Sequence, residues 1–182
     1  MSTENWYLTV AALTVFLVSV AILDLTTRRI PNWLTAPAAA LAFGANCLGA
    51  GAVGALHSVE GLAVGLAIFL PMFLARGTGG GDVKAMAAVG AFLGPAGAFF
   101  AALWTLVAGL LGAVLVLAAA AGTDGLRELI RRWLFRAYVL CATGHLPRVG
   151  RSGEDAAARR FPYGLAIASG TMVSLAWGVY RG

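Results

Sequence analysis

Between Asn5 and Thr123 the chain carries only seven charged side chains, Asp24, Arg28, Arg29, Glu60, Arg76, Asp82 and Lys84. The runs between them are too apolar to be covered by the few polar residues available, whereas a bilayer solvates such runs directly. The sequence therefore reads as a polytopic membrane protein. Composition agrees: 60% of the 182 residues are hydrophobic, 12% are charged and the mean hydropathy is +0.84, well outside the balance of a soluble domain. The expected fold is all-α, a single transmembrane domain over residues 1–182, because helices satisfy their own backbone hydrogen bonds inside lipid.

Six transmembrane helices are expected, at about 5–24, 33–54, 58–75, 82–94, 96–121 and 162–180, with a loop over 122–161. The fourth is short. Its thirteen residues rise about 20 Å, against a hydrocarbon core of roughly 30 Å, so it starts inside the membrane or the bilayer thins there. The first apolar run, Trp6 to Leu23, is preceded by Glu4 and by no basic residue, so it is expected to stay as a span and not to be removed as a signal peptide.

Charge placement orients the bundle. With the N-terminus outside, Arg28, Arg29, Arg76, Lys84 and the eight arginines from Arg127 to Arg160 all fall on the cytoplasmic side, leaving only Arg181 with the outer ends. That asymmetry follows the positive-inside rule and puts both termini outside. It also accounts for the net charge of +5 and the pI near 9.9 without a nucleic-acid partner. Asp24 and Asp82 then share one depth at the cytoplasmic end.

Within the long loop, Leu126, Leu129, Ile130, Trp133, Leu134, Ala137 and Cys141 recur at helical spacing opposite Arg127, Glu128, Arg131, Arg132 and Arg136. This predicts a cytoplasmic interfacial amphipathic helix, begun by Thr123 or Asp124 and ended by Gly144, whose basic face binds anionic lipid headgroups. Residues 145–160 read as loop. His57 reads as a solvated residue of the short outer loop, and Cys47 and Cys141 as small packing residues without metal or disulfide spacing. Trp6, Trp33, Trp104 and Trp177 mostly suit an interfacial belt.

Carboxylates at the margin of a lipid-embedded chain are costly, so Asp24 and Asp82 need a reason to be there. Two carboxyl groups held within a few ångströms resist double ionisation and hold one proton between them. The ionised member can activate water against a peptide carbonyl while the protonated member supports the oxyanion and donates to the leaving amine. Either aspartate can hold the proton. No cofactor and no metal are expected, since His57 and His145 are the only histidines and no metal-binding spacing occurs. Gly79, Gly80 and Gly81 lack Cβ atoms and can hold an extended substrate against Asp82, which itself suits a helix N-terminus, where the dipole favours a carboxylate. Pro31 and Asn32 suit the start of the second helix. Lys84, two residues from Asp82, does not face it well on a helix and serves at least equally as a cytoplasmic anchor.

Three separated segments resemble the type IV prepilin peptidases, bacterial intramembrane aspartic proteases of the GxGD type. Asp24-Leu25-Thr26-Thr27-Arg28-Arg29-Ile30-Pro31-Asn32 is similar to the segment with the family's first catalytic aspartate, and Gly79-Gly80-Gly81-Asp82-Val83-Lys84 to the segment with the second. Phe161-Pro162-Tyr163-Gly164 resembles the family's motif at the start of the last span. The resemblance implies Asp24 and Asp82 as the catalytic pair and Gly79, Gly80, Gly81 and Lys84 as the active-site loop, with Pro31, Asn32, Pro162, Tyr163 and Gly164 in support. It implies a prepilin substrate whose basic leader is cut next to a glycine at the cytoplasmic face of the bacterial inner membrane, with the pilus assembly machinery as a further partner. The chain looks like the short members that serve Flp-type, tight-adherence pili. No cysteine-bearing N-terminal extension is seen, so N-methylation of the mature pilin is not expected.

A second reading is a transporter or channel component using Asp24 and Asp82 as a proton or cation site at a helix break. It predicts inverted repeats, and residues 1–94 and 96–182 show no convincing similarity. A presenilin-like protease fits less well, because Leu23 precedes Asp24 where that group has tyrosine and no Pro-Ala-Leu follows near the C-terminus.

Overall fold

The computed structural model describes residues 3–75, 77–143 and 163–181, and all the regular structure in them is helical. There are four helices: α1 (Thr3–Thr27), α2 (Asn32–Leu74), α3 (Gly80–Thr143) and α4 (Tyr163–Arg181). Trp6–Thr27 of α1, all of α2 and Gly80–Val116 of α3 are each long and apolar enough to cross a membrane. The chain divides into two compact units, residues 1–109 with 162–182, and residues 110–161.

Both long helices are interrupted inside the first unit. In α2 the backbone leaves helical geometry at Ala50 and Gly51, where Gly51 has φ +60° and ψ −139°. In α3, Gly94 has φ +71° and Pro95 follows it. L residues with a Cβ seldom adopt such positive φ values, so glycine is what permits each break. Each break turns the chain back on itself: Ser58 faces Ala42 across the first, with Ser58 Oγ to Ala42 O at 3.5 Å, and Gly90 meets Ala98 across the second.

A proline at position 95 cannot donate to the carbonyl of Ala91, which would be left orphaned in an apolar interior. Two side chains from opposite sides of the α2 break repair this. Ser58 Oγ donates to Ala91 O at 2.7 Å, Asn46 Nδ2 donates to it at 3.0 Å, and Asn46 Nδ2 also reaches Ser58 Oγ at 2.8 Å. The later part of α2 packs so closely on the early part of α3 that Gly61 and Gly90 touch backbone to backbone, and Gly65 rests on Met86. Small residues are what allow helix backbones to approach this far in a bilayer protein.

The core explains where the two aspartates point. On α1 the buried positions are Leu13, Phe16, Leu17 and Val20, a stripe at three- and four-residue spacing that reaches Asp24 one turn later. On α3, Asp82 heads a segment buried nearly all round through Phe92, with Lys84 its one exposed residue. Each carboxylate therefore occupies one end of a buried stretch. The outer face of α1 exposes Val15, Val18 and Ile22, and α2 exposes Leu48 at 91%, as lipid contact requires.

Three expectations are corrected. The break in α2 falls at residues 50–51, before the expected loop at 55–57, so His57 lies on a helix and its ring sits against Gly94. Gly80 and Gly81 belong to the first turn of α3 and form no extended loop. Finally, the stretch 126–141 is helical as expected, but the helix does not start at Thr123 or Asp124, since the backbone of α3 is already helical there and stays so to Thr143. The run Ala118–Ala121 has the highest helix propensity available and carries the helix across the change in side-chain character. Gly144 and the 145–160 stretch lie outside the described residues.

Candidate active site

α1 ends in a sharp reversal. The N–H of Arg28 donates to the carbonyl of Asp24 at 3.1 Å, and Arg28 adopts φ +51°, a left-handed conformation that costs an L residue roughly 1–2 kcal/mol. The turn sends Ile30, Pro31 and Asn32 back across the bundle. Pro31 takes the N-cap position of α2 with φ −78°, as its fixed ring geometry suits, and its carbonyl accepts from Leu34 N–H at 3.1 Å.

Ile30 then lands on the first turn of α3, where a Cβ on Gly81 would come within 2.9 Å of the Ile30 Cβ. Asn32 reaches further along the same turn, and Lys84 Nζ donates to Asn32 Oδ1 at 2.8 Å. The segments that follow Asp24 and begin at Asp82 are thus joined twice, by packing and by a hydrogen bond.

Both carboxyl groups are almost fully buried, Asp24 at 7% and Asp82 at 8% exposure, and each is held by a backbone N–H. Asp24 Oδ2 accepts from Gly164 N–H at 2.6 Å. Asp82 Oδ2 accepts from Gly79 N–H at 2.9 Å, while Gly79 O accepts from Asp82 N–H at 3.1 Å. The latter pair of bonds is one half of a capping box with the carboxylate reaching back to the N-cap. The former uses an otherwise unsatisfied N–H in the first turn of α4. The two carboxyl groups thus stand on segments that Ile30 packing on Gly81 and the Lys84 to Asn32 bond hold together.

Tyr163 opens α4 beside them. Its ring meets Phe69 edge-on at 6.2 Å and lies over Gly109. Gly80 rests on the Phe73 ring, and Gly79 is exposed. Asp24, Asp82, the three glycines, Pro31, Asn32, Lys84, Tyr163 and Gly164 are therefore gathered at one end of the first unit, while Pro162 lies outside the described residues. Among the described residues no three His, Cys, Asp or Glu side chains cluster as metal ligands.

Some participants were not legible in the sequence. The Gly164 N–H is a backbone group with no side-chain signature. Phe69 and Gly109, which cradle Tyr163, sit in uniform apolar runs. Thr78 carries a buried hydroxyl with no hydrogen-bond partner, directly before the glycines.

Long apolar helices that could cross a membrane, with two buried carboxyl groups each held by a backbone N–H at one end of the first unit, mark this, as a class, as a membrane-type helical protein with buried acidic side chains. The chain belongs to the type IV leader peptidase family, whose family model matches residues 11–117. That span is more than half of the chain and includes both Asp24 and Asp82; it stops short of Tyr163. The resemblance read from the aspartate segments is borne out, and membership implies, by family alone, aspartic prepilin peptidase activity. No curated protein and no solved structure matches the chain significantly.

Proposed function

We propose that this protein is an intramembrane aspartic endopeptidase that removes the basic leader peptide from type IV prepilins, of the Flp kind, at the cytoplasmic face of the bacterial inner membrane. The observation that carries the reading is that Asp24 and Asp82 are both buried, each on a backbone N–H, on segments joined through Ile30–Gly81 and Lys84–Asn32, and both within the residues matched by the family. In this reading the whole chain is one peptidase domain, and the breaks at Gly51 and Gly94 divide α2 and α3 so that, with α1 and α4, six spans result. The basic residues then face the cytoplasm.

In this reading catalysis is general acid–base chemistry shared by the two carboxyl groups. The backbone donors engage Oδ2 of each aspartate, so Oδ1 handles water and substrate. One carboxylate draws a proton from a water that attacks the scissile carbonyl. The other, protonated, hydrogen-bonds the developing oxyanion and then gives its proton to the departing amine. A buried site raises the worth of both interactions, because little water competes. Exposed Gly79, beside Asp82, offers the side on which an extended peptide can lie with backbone against backbone.

Coexpression with a prepilin bearing a short basic leader tests the proposal. Wild type removes the leader, and Asp24→Asn and Asp82→Asn both leave it in place. Normal processing by either variant overturns the assignment.

A further inference from the structure

Lys84 is the only lysine in the chain; the other twelve basic residues are arginines. Its ammonium is spent on a neutral amide oxygen, Asn32 Oδ1, 52 positions away in sequence and 2.8 Å away in space. A compact point donor suits a single acceptor of this kind, where the planar fork of arginine calls for two. Asn32 is the first residue of α2, yet its side chain makes no helix cap and is free to serve as the acceptor. Beside this bond, Ile30, itself buried, packs on Gly81.

The location matters more than the strength of the bond. Lys84 is two residues beyond Asp82, and Asn32 is eight beyond Asp24 on the far side of the Arg28 reversal. The left-handed turn at Arg28 fixes the direction in which the chain leaves α1, and the Lys84 bond fixes where it arrives. Together they close a short loop that has one carboxyl at its start and the other at its end.

We infer that Lys84 and Asn32 form a clasp, a pair of positioning residues that sets the separation of Asp24 and Asp82 in the reaction proposed above, on which the catalytic part of this inference rests. The clasp touches no reacting atom. It acts by holding the first turn of α3 against the segment that follows α1, so that the carboxyl groups stay within reach of one water. Loss of it lets the two segments part by a fraction of an ångström, enough to reduce turnover about tenfold, since a misplacement of about 1 Å can cost a hundredfold.

The test uses the full chain in membranes or detergent with the same prepilin, comparing Lys84→Met, Asn32→Leu, the double variant, and the exchanged pair Asn32→Lys with Lys84→Asn. Each single change lowers kcat about tenfold and leaves KM within about twofold. The double variant is no slower than either single one, because a clasp can be opened only once. The exchanged pair restores the bond in reverse and recovers most of the turnover. Effects of the two single changes that multiply, a rise in KM with unchanged kcat for Lys84→Met, or unaltered kinetics in both single variants, each overturn the clasp; the KM result instead makes Lys84 a substrate contact. Hydrogen exchange without substrate supplies a readout independent of activity: amides of residues 28–30, 32–34 and 79–84 exchange faster in both single variants, and unchanged exchange overturns the clasp. Absence of cleavage by wild type refutes the proposed peptidase, while the exchange result still judges the clasp.

Discussion

Replacing Gly164 by alanine probes the narrowest point of the site. The added Cβ would stand 2.7 Å from the Asp24 Cβ, 3.0 Å from its Oδ2 and 3.1 Å from its Cγ, where ordinary contact starts at 3.4 Å. Relief requires α4 and Asp24 to separate by about 0.7 Å, the difference between 3.4 and 2.7 Å, and this also stretches the 2.6 Å bond from Gly164 N–H to Asp24. Overpacking of this kind costs about 1–3 kcal/mol. For a chain of this size about 2 kcal/mol lowers the melting midpoint by about 4–8 °C. The displacement is a large part of the ~1 Å that can cost a hundredfold in rate, so turnover should fall about ten- to a hundredfold with KM little changed. Leader removal in isolated membranes gives the rate, and thermal unfolding in detergent gives the stability. Gly178 on the same helix is the control, since a Cβ there meets nothing within 4 Å and alanine should gain about 0.5–1 kcal/mol. If Gly164→Ala cleaves and melts like wild type, the helix terminus does not hold Asp24 as described.

Asn46→Leu and Ser58→Ala should each cost about 1–3 kcal/mol in thermal unfolding, and the double variant should cost more than their sum, because only then does the Ala91 carbonyl lose both donors. Arg28→Gly should be more stable than Arg28→Ala by about 1 kcal/mol, since both lose the side chain and only glycine relieves φ +51°; equal midpoints refute strain at that turn. Gly61→Ala should destabilise by more than about 2 kcal/mol because its Cβ meets the Gly90 backbone, whereas Gly44→Ala, with nothing within 4 Å, should stabilise slightly in the same melting assay.

Asp24 was legible as the one charge in an otherwise apolar first run, but its orientation was not, because that run is apolar on every face and only the fold buries the row Leu13, Leu17 and Val20 that it completes. Asp82 was legible as a carboxylate near the start of a helix. The position of the α2 break was not. Residues 49–57 are nearly uniform small and apolar side chains, so local propensity is flat along them, and the choice of Gly51 is made by Ser58 and Asn46 reaching Ala91 from elsewhere in the chain. The continuation of α3 past residue 121 was hidden by the opposite circumstance: the side-chain pattern changes while the backbone propensity does not. The Lys84 to Asn32 bond joins residues whose separation gives no periodic signal at all.

Because the Ala91 carbonyl is tied to both sides of the α2 break, the piece of α3 that bears Asp82 is a lever with its fulcrum at Ala91. Nine residues of helix put Asp82 about 13 Å from that fulcrum, so a tilt of about 5° carries its carboxyl roughly 1 Å, the scale on which a hundredfold in rate is decided. The arm is held at its other end by Ile30 on Gly81 and by Lys84 on Asn32, so the spacing of the two carboxyl groups depends on both anchors, and a methyl group's worth of change at Ser58 or Asn46 works against the contacts at the first turn of α3.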